Sequence, residues 1–314
     1  MRSASGFAIS SGVVSQNETE LLMRQLRNPA ELAEVWTAGP GKAAYRVEPG
    51  FHFPEETLVI TGERQRWLHA CCDVPHGFYG DRADPTILAA RPIKVIGQAL
   101  FANYSDRGYV HTQSRIRQHA PIPLETPVTM AGHFTHVDDH PRGWMMRGNF
   151  TYRAPDGTLL LEVEPWALMA DQKKMRPRPP APPEDGYSTE VRPPVEPVLE
   201  PDWSLLFNRQ IRPEKCLGYS GNTKNIIHTD PAYAQKFGYR MPIFAGNGMV
   251  QILTQALQAD GLLDAFDMQV RMLRPVHWDD GLAIIGRRDM TGRLMAIKAI
   301  GPEGKDTNDL QVLD

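Results

Sequence analysis

The chain's 314 residues suit one large domain or two of about 150 residues each, and exclude a peptide module or a short tail. Hydrophobic residues at 41% and charged ones at 23% form an ordinary globular mixture, enough to bury a sizeable core and too apolar for broad disorder. With 34 Lys and Arg against 37 Asp and Glu the formal charge is -3, and no long basic run is present to neutralise a phosphate backbone, so nucleic acid is not an expected partner.

Taken in chain order, Arg2 is followed by SASGFAISSG, too polar for the apolar stretch of a secretory signal, and no run of about 18 uncharged apolar residues follows anywhere. No membrane partner is expected. Cys71, Cys72 and Cys216 are odd in number, include a vicinal pair and lack CxxC spacing, so neither a disulfide scaffold nor a zinc site is expected, and a reducing cytoplasm fits best. The cluster RQRWLHACCDVPHG, with Trp67, His69, Cys71, Cys72 and His76, fits no metal template. In GDRADPT, Asp81 reads as a turn or capping residue. Arg91-Pro92-Ile93 precedes KVIGQALF, whose apolar spacing is helical, and a proline suits the start of a helix. His111, His133, His136 and His140 are scattered, and strand alternation puts His133 and Phe134 on opposite faces. MRGNFTYRAPDGTLLLEVEPWALMA alternates and turns at Asp156-Gly157, the pattern of an antiparallel hairpin.

Between Asp171 and Pro201 the composition shifts: nine prolines in 31 residues remove amide donors and favour an extended spacer. The spacer divides an N-terminal unit, residues 1–170, from a C-terminal unit, residues 202–314. In the second unit Met241-Pro242-Ile243 precedes FAGNGMVQILTQAL, again helical in spacing, and LAIIGRRDMTGRLMAIKAIGPEG alternates with turns near Thr291-Gly292 and Gly301-Pro302. The units echo one another. PIPLETPVTMAG runs from Pro121 to Gly132 and PVHWDDGLAIIG from Pro275 to Gly286 with the same spacing, so each unit reads as one helix followed by several antiparallel strands.

The densest polar stretch is YSGNTKNIIHTDPAYAQKFGYRMPIFAGNGMV, Tyr219 to Val250. It resembles the hydratase signature of the MaoC-like family of hot-dog enzymes, S-G-D-x-N-P-I-H-x-D followed by an alanine, a glycine and P-I-x-H-G-M. Ser220 and Gly221 match its opening, Asn225, Ile227, His228 and Asp230 its core, and Ala234, Gly238, Pro242, Ile243, Gly248 and Met249 its trailing part. The resemblance covers most of residues 210–301 and, faintly, 50–170.

The resemblance implies an α+β double hot-dog fold, two antiparallel sheets each wrapped round a central helix. It implies hydration of a 2-enoyl thioester, or dehydration of a 3-hydroxyacyl thioester, on coenzyme A or a carrier protein, with no metal and no cofactor beyond the coenzyme A of the substrate. His228 would activate water or take the α-proton, because water is a weak nucleophile and the enolate-like intermediate a strong base. The Gly248 amide would polarise the thioester carbonyl. Tyr219, Asn225 and Asn247 would line the substrate, and Arg240, Arg271 and Arg274 would meet the phosphates of coenzyme A.

The chain departs from the pattern where the family has its aspartate. Counting back from His228 reaches Thr223, and aligning the Ser-Gly reaches Asn222. Neither titrates as an acid near neutral pH, although Asn222 could still orient water. Asp230-Pro231 reads independently as a helix N-cap with proline at the first position. Two alternatives stay open: a reshaped hot-dog lyase or thioesterase acting on a non-standard acyl-CoA, and a non-catalytic subunit that binds acyl thioesters. A homodimer is expected, although the internal pseudo-dimer would be viable alone.

Overall fold

A computed structural model of the chain describes residues 45–75, 77–104, 108–171, 190–220, 226–261 and 264–313. The first half comprises β1 (His52–Leu58), α1 (Gly62–Cys72), α2 (Pro85–Asn103), β2 (Tyr109–Gln118), β3 (Val128–His140), β4 (Gly143–Arg153) and β5 (Leu159–Ala170). The second comprises β6 (Trp203–Gln210), α3 (Pro213–Ser220), a 3₁₀ turn (Ile226–His228), α4 (Pro231–Lys236), α5 (Gly246–Ala259), β7 (Phe266–Met272), β8 (Gly281–Arg288), β9 (Leu294–Ile300) and β10 (Asp306–Leu313). The strands form one 10-stranded sheet in the order β1-β3-β4-β5-β2-β7-β10-β9-β8-β6. The order reads the same from either end when each strand is exchanged for its counterpart in the other half, so the fold is a double hot dog joined edge to edge through β2 and β7.

The seam is antiparallel, with Ser114 opposite Val270 and Ile116 opposite Met268. Across it Asp267 accepts from Arg115 Nε and Nη2 at 2.9 and 2.7 Å and from Arg117 Nε at 2.8 Å. These charge-assisted contacts help to fix the register. Below the sheet α2 and α5 pack on each other, α2 against β2 and β5 and α5 against β9. The inward face of α5 buries Met249, Val250, Ile252, Leu253, Ala256 and Leu257, the spacing of an apolar helical stripe. One continuous core joins these residues to Val95, Ile96, Ala99 and Leu100 of α2.

The echoed glycines fall in counterpart strands: Gly132 in β3 and Gly286 in β8. Each is a close approach, since a methyl on Gly132 would lie 2.1 Å from the Phe150 ring and one on Gly286 2.7 Å from Leu206 and Leu294. The hairpin turns also stand where the sequence places them, with Gly157 and Gly292 at φ 87° and 86°. Phe134 is buried in the core, while His133 stacks on His52 with ring centroids 5.1 Å apart. A strand and a short helix precede the long helix of each half, elements that the sequence reading omits.

The helix expected to open at Pro92 instead opens at Pro85 and carries Pro92 in its interior. Proline has no N–H for the carbonyl four residues earlier, that of Leu88. The buried Tyr152 hydroxyl supplies the missing donor, bonding Leu88 O at 2.7 Å. Most of the proline-rich spacer lies outside the described residues. Its end, from Glu190, runs over the second half, where Arg192 exchanges backbone bonds with Asp279 and Gly281.

Candidate active site at the start of α5

The pseudo-symmetry sets two helix N-termini in matching positions. Ala83 N–H bonds Ile122 O and Phe244 N–H bonds Val276 O, each at 2.7 Å, and the next residues, Asp84 and Ala245, are the N-caps of α2 and α5. Their chemistry differs. Asp84 is fully buried, and its Oδ1 accepts from the Thr86 amide at 2.9 Å and the Thr86 hydroxyl at 2.6 Å. Its Oδ2 accepts from Gln251 Nε2 of α5 at 2.7 Å and lies 3.1 Å from His69 Nε2. Burial alone would raise this carboxyl's pKa, but the hydrogen bonds from His69, Thr86 and Gln251 outweigh it and hold the group below its ordinary value. A carboxylate therefore plugs the positive end of α2. Asp81 lies in the turn that precedes α2, its carbonyl accepting from Leu124 N–H, and the cap in GDRADPT is Asp84.

Ala245 offers α5 no side-chain cap. The Gly248 and Met249 amides both turn to the Ala245 carbonyl, at 2.9 and 3.2 Å. Among the described residues no acceptor meets the amides of Gly246 and Asn247, which carry the positive end of the helix dipole. The Gly248 amide, expected at the thioester carbonyl, is thus engaged within the turn, and the absence of a side chain there is required by Phe244, whose ring would lie 2.5 Å from a methyl. Phe244 in turn packs on Tyr219, ring centroids 5.5 Å apart, and burial raises the Tyr219 phenol well above its usual range.

His228 ends the 3₁₀ turn in the segment between α3 and α5, which is longer than its counterpart between α1 and α2. Its Nδ1 lies 2.8 Å from Ile243 O. A carbonyl only accepts, so Nδ1 carries the hydrogen and Nε2 keeps its lone pair. Burial lowers the imidazole's pKa against the smaller raising effect of that carbonyl, so the ring is a neutral base at physiological pH. Ile243 N–H returns a bond to Ile227 O at 3.3 Å. The short run from Ile243 to Gly246 keeps the anchor of His228 within about 11 Å of the start of α5. Asp230 next to it is the N-cap of α4, Oδ1 accepting from Tyr233 N–H at 2.7 Å, as the sequence reading expects.

A second imidazole reaches the same helix end from the other half. Along β2, Tyr109 and His111 face the helices, as do Ser114, Ile116 and Gln118 further on, a change of parity allowed by a bulge between His111 and Gln113. His111 Nε2 lies 3.1 Å from Gln113 O and 2.8 Å from Ser114 Oγ. Burial depresses its pKa to about 4. Nδ1 is shut off from solvent and has no partner among the described residues, and a methyl on Gly246 would lie 3.5 Å from it. Nothing in YVHTQSRIRQ marks His111 out except that its alternation breaks.

Asn222, Thr223 and Asn225 lie outside the described residues. The arginines expected at phosphates are engaged elsewhere. Arg240 grips Asp279 with two bonds of 2.6 Å and reaches Asp280 at 3.1 Å. Arg271 pairs with Asp309, and Arg274 bonds Asp306 O. The Arg240 pair ties the segment before α5 to the β7–β8 loop, which is a structural duty. Trp67 bonds Gly218 O at 2.8 Å, and Cys71 and Cys72 are buried between α1 and its neighbours.

No protein-family model matches the sequence, and no curated protein matches it either. Solved structures do. HtdX from Mycobacterium tuberculosis superposes with a TM-score of 0.62 at 19% identity over 82% of this chain and 97% of its own. A MaoC-like dehydratase superposes at 0.66 with 15% identity over 86% and 99%. An acyl-ACP thioesterase from Bacteroides thetaiotaomicron superposes at 0.51 with 9% identity over 82% and 96%. At these identities the likeness establishes the shared double hot-dog fold, which hosts more than one thioester chemistry.

Proposed function

We propose that the chain hydrates a 2-enoyl thioester, or dehydrates the corresponding 3-hydroxyacyl thioester, at the start of α5. What supports this reading most is the difference between two matching helix ends: α2 is sealed by Asp84, whereas α5 has no side-chain cap and, among the described residues, no acceptor on its first two amides, with the carbonyl that anchors the neutral His228 ring three residues before them. The thioester oxygen is received by the Gly246 and Asn247 amides. His228 Nε2 takes one proton from water as the water oxygen bonds C3; the C2=C3 electron pair moves to C2 with its charge spread onto the thioester oxygen. The same proton then passes from Nε2 to C2, so one water is added and nothing is released. An oxyanion donor is worth about 3 kcal/mol and a positioned base about 10²–10⁴ in rate, so both are needed for turnover. Coenzyme A is the proposed carrier and part of the substrate.

The test is to mix the purified protein with a panel of 2-enoyl-CoA esters and follow the conjugated-thioester absorbance together with product mass. Loss of absorbance with a mass gain of one water, reduced at least 100-fold in His228→Ala, supports hydration. Release of free coenzyme A without a water adduct would replace the proposal by thioester hydrolysis. Binding without turnover would replace it by a carrier role.

A further inference from the structure

We propose that His111, on β2 of the first half, holds the oxygen that is added or removed, accepting a hydrogen bond at Nδ1 from the water or from the 3-hydroxyl of the acyl chain. The proposal rests on the hydration reading and assigns a part to a residue that lies outside the signature segment.

The tautomer follows from the partners of the ring. Gln113 O can only accept and the Ser114 hydroxyl oxygen can accept too, so a hydrogen on Nε2 satisfies both contacts and leaves the lone pair on Nδ1. Ser114 Oγ at 2.8 Å holds the same edge of the ring, and the bulge between His111 and Gln113 turns the other edge towards Gly246. That edge is enclosed and meets no donor among the described residues. A buried acceptor left without a donor is destabilising, and a ligand hydroxyl removes that cost. Chemistry identifies the ligand group. The amides of α5 donate and so select a carbonyl oxygen, while the imidazole accepts and selects an O–H. An acyl thioester with a hydroxyl at C3 carries both, separated by the distance that spans the reacting carbons. On this proposal His228 Nε2 on one half and His111 Nδ1 on the other are the two acceptors that receive the hydrogens of one water. This would supply the second acceptor in a chain whose signature lacks the carboxylate.

The probe pair is 3-hydroxybutyryl-CoA and butyryl-CoA, which differ by that hydroxyl, with affinities measured by calorimetry on the full chain. His111→Gln keeps a donor able to reach the Gln113 carbonyl but removes the Nδ1 acceptor. It is expected to weaken 3-hydroxybutyryl-CoA about tenfold and leave butyryl-CoA within twofold, while His111→Asn, with an acceptor near the Nδ1 position, recovers part of the loss. A purely structural role would weaken both ligands together. If the variants do not fold, ¹⁵N spectra of the wild-type imidazoles give the answer: the His111 Nδ1 resonance moves with the hydroxylated ligand and not with the other. Equal losses for the two ligands, or a resonance indifferent to the hydroxyl, would overturn the assignment while leaving hydration standing. A wild type that binds neither ligand would remove both.

Discussion

Asp84→Ala is the sharpest test of how the two halves are joined. The carboxylate caps α2, and removing an aspartate N-cap alone costs about 1 kcal/mol. It also accepts from the Thr86 hydroxyl, Gln251 and His69, so truncation strands three further donors in a site with no solvent access. Each orphaned donor costs about 1–3 kcal/mol, but they share one cavity that water can partly fill, so the terms do not add. The lost cap and the three stranded donors together are expected to cost about 4 kcal/mol. At about 2–4 °C per kcal/mol that lowers Tm by roughly 8–16 °C. Asp84→Asn keeps the shape and the Oδ1 acceptor but points an amide at Gln251 or His69, and should lose about half as much. Urea titrations with a common slope measure both, and a double-mutant cycle with Gln251→Ala isolates the link between α2 and α5. A loss below about 1 kcal/mol for Asp84→Ala, or additivity in the cycle, would refute the network. The sign with pH is fixed as well. Because the folded pKa lies below the ordinary 3.8, this stabilisation is fully present above 3.8 and is lost as pH falls through the folded value, a component that Asp84→Asn should lack.

For His228, whose folded pKa lies below the ordinary 6.5, kcat/KM for hydration should stay level as pH is lowered through 6.5 and fall only further down; a profile half lost at or above 6.5 would contradict a half-buried, neutral base. Arg240→Gln leaves Asp279 buried without its bidentate partner and should cost about 2–3 kcal/mol of stability, while the KM ratio between coenzyme A and pantetheine thioesters stays unchanged; a selective rise in KM for coenzyme A esters would return Arg240 to a phosphate site. Cys71, Cys72 and Cys216 are all buried, with the Cys71 thiol pushed up to about 12, so a thiol reagent at pH 8 should leave the native protein unlabelled and modify all three cysteines in urea. Rapid native labelling would show that the helix layer opens.

The sequence announced features that depend on neighbours along the chain. The turns at Gly157 and Gly292 and the Asp230-Pro231 cap are local in that sense, and the structure has all of them. Features set by distant partners were hidden. Pro92 reads as a helix start because nothing nearby can bond Leu88 O, and the donor that makes an interior proline tolerable, Tyr152, arrives from β4. Nothing along the sequence shows that Arg240, Arg271 and Arg274, expected at phosphates, also meet the carboxylates and carbonyl of the β7–β8 loop and β10. Asp84-Pro85 carries the same cap signature as Asp230-Pro231, but its complete burial is not legible locally, because the hydrogen bond from Gln251 comes from the other half. His111 is the strongest case. A bulge has no sequence signature of its own, so a histidine that simple alternation files among the scattered ones is carried to the start of α5.

The central claim is that α5 receives an activated acyl group between its first amides and His228. A crystal structure of the protein with butyryl-CoA tests it most directly. The account predicts the thioester oxygen within hydrogen-bond distance of the Gly246 or Asn247 amide, with C2 and C3 facing His228 Nε2. An acyl group lodged elsewhere, or His228 turned away from those carbons, would contradict it.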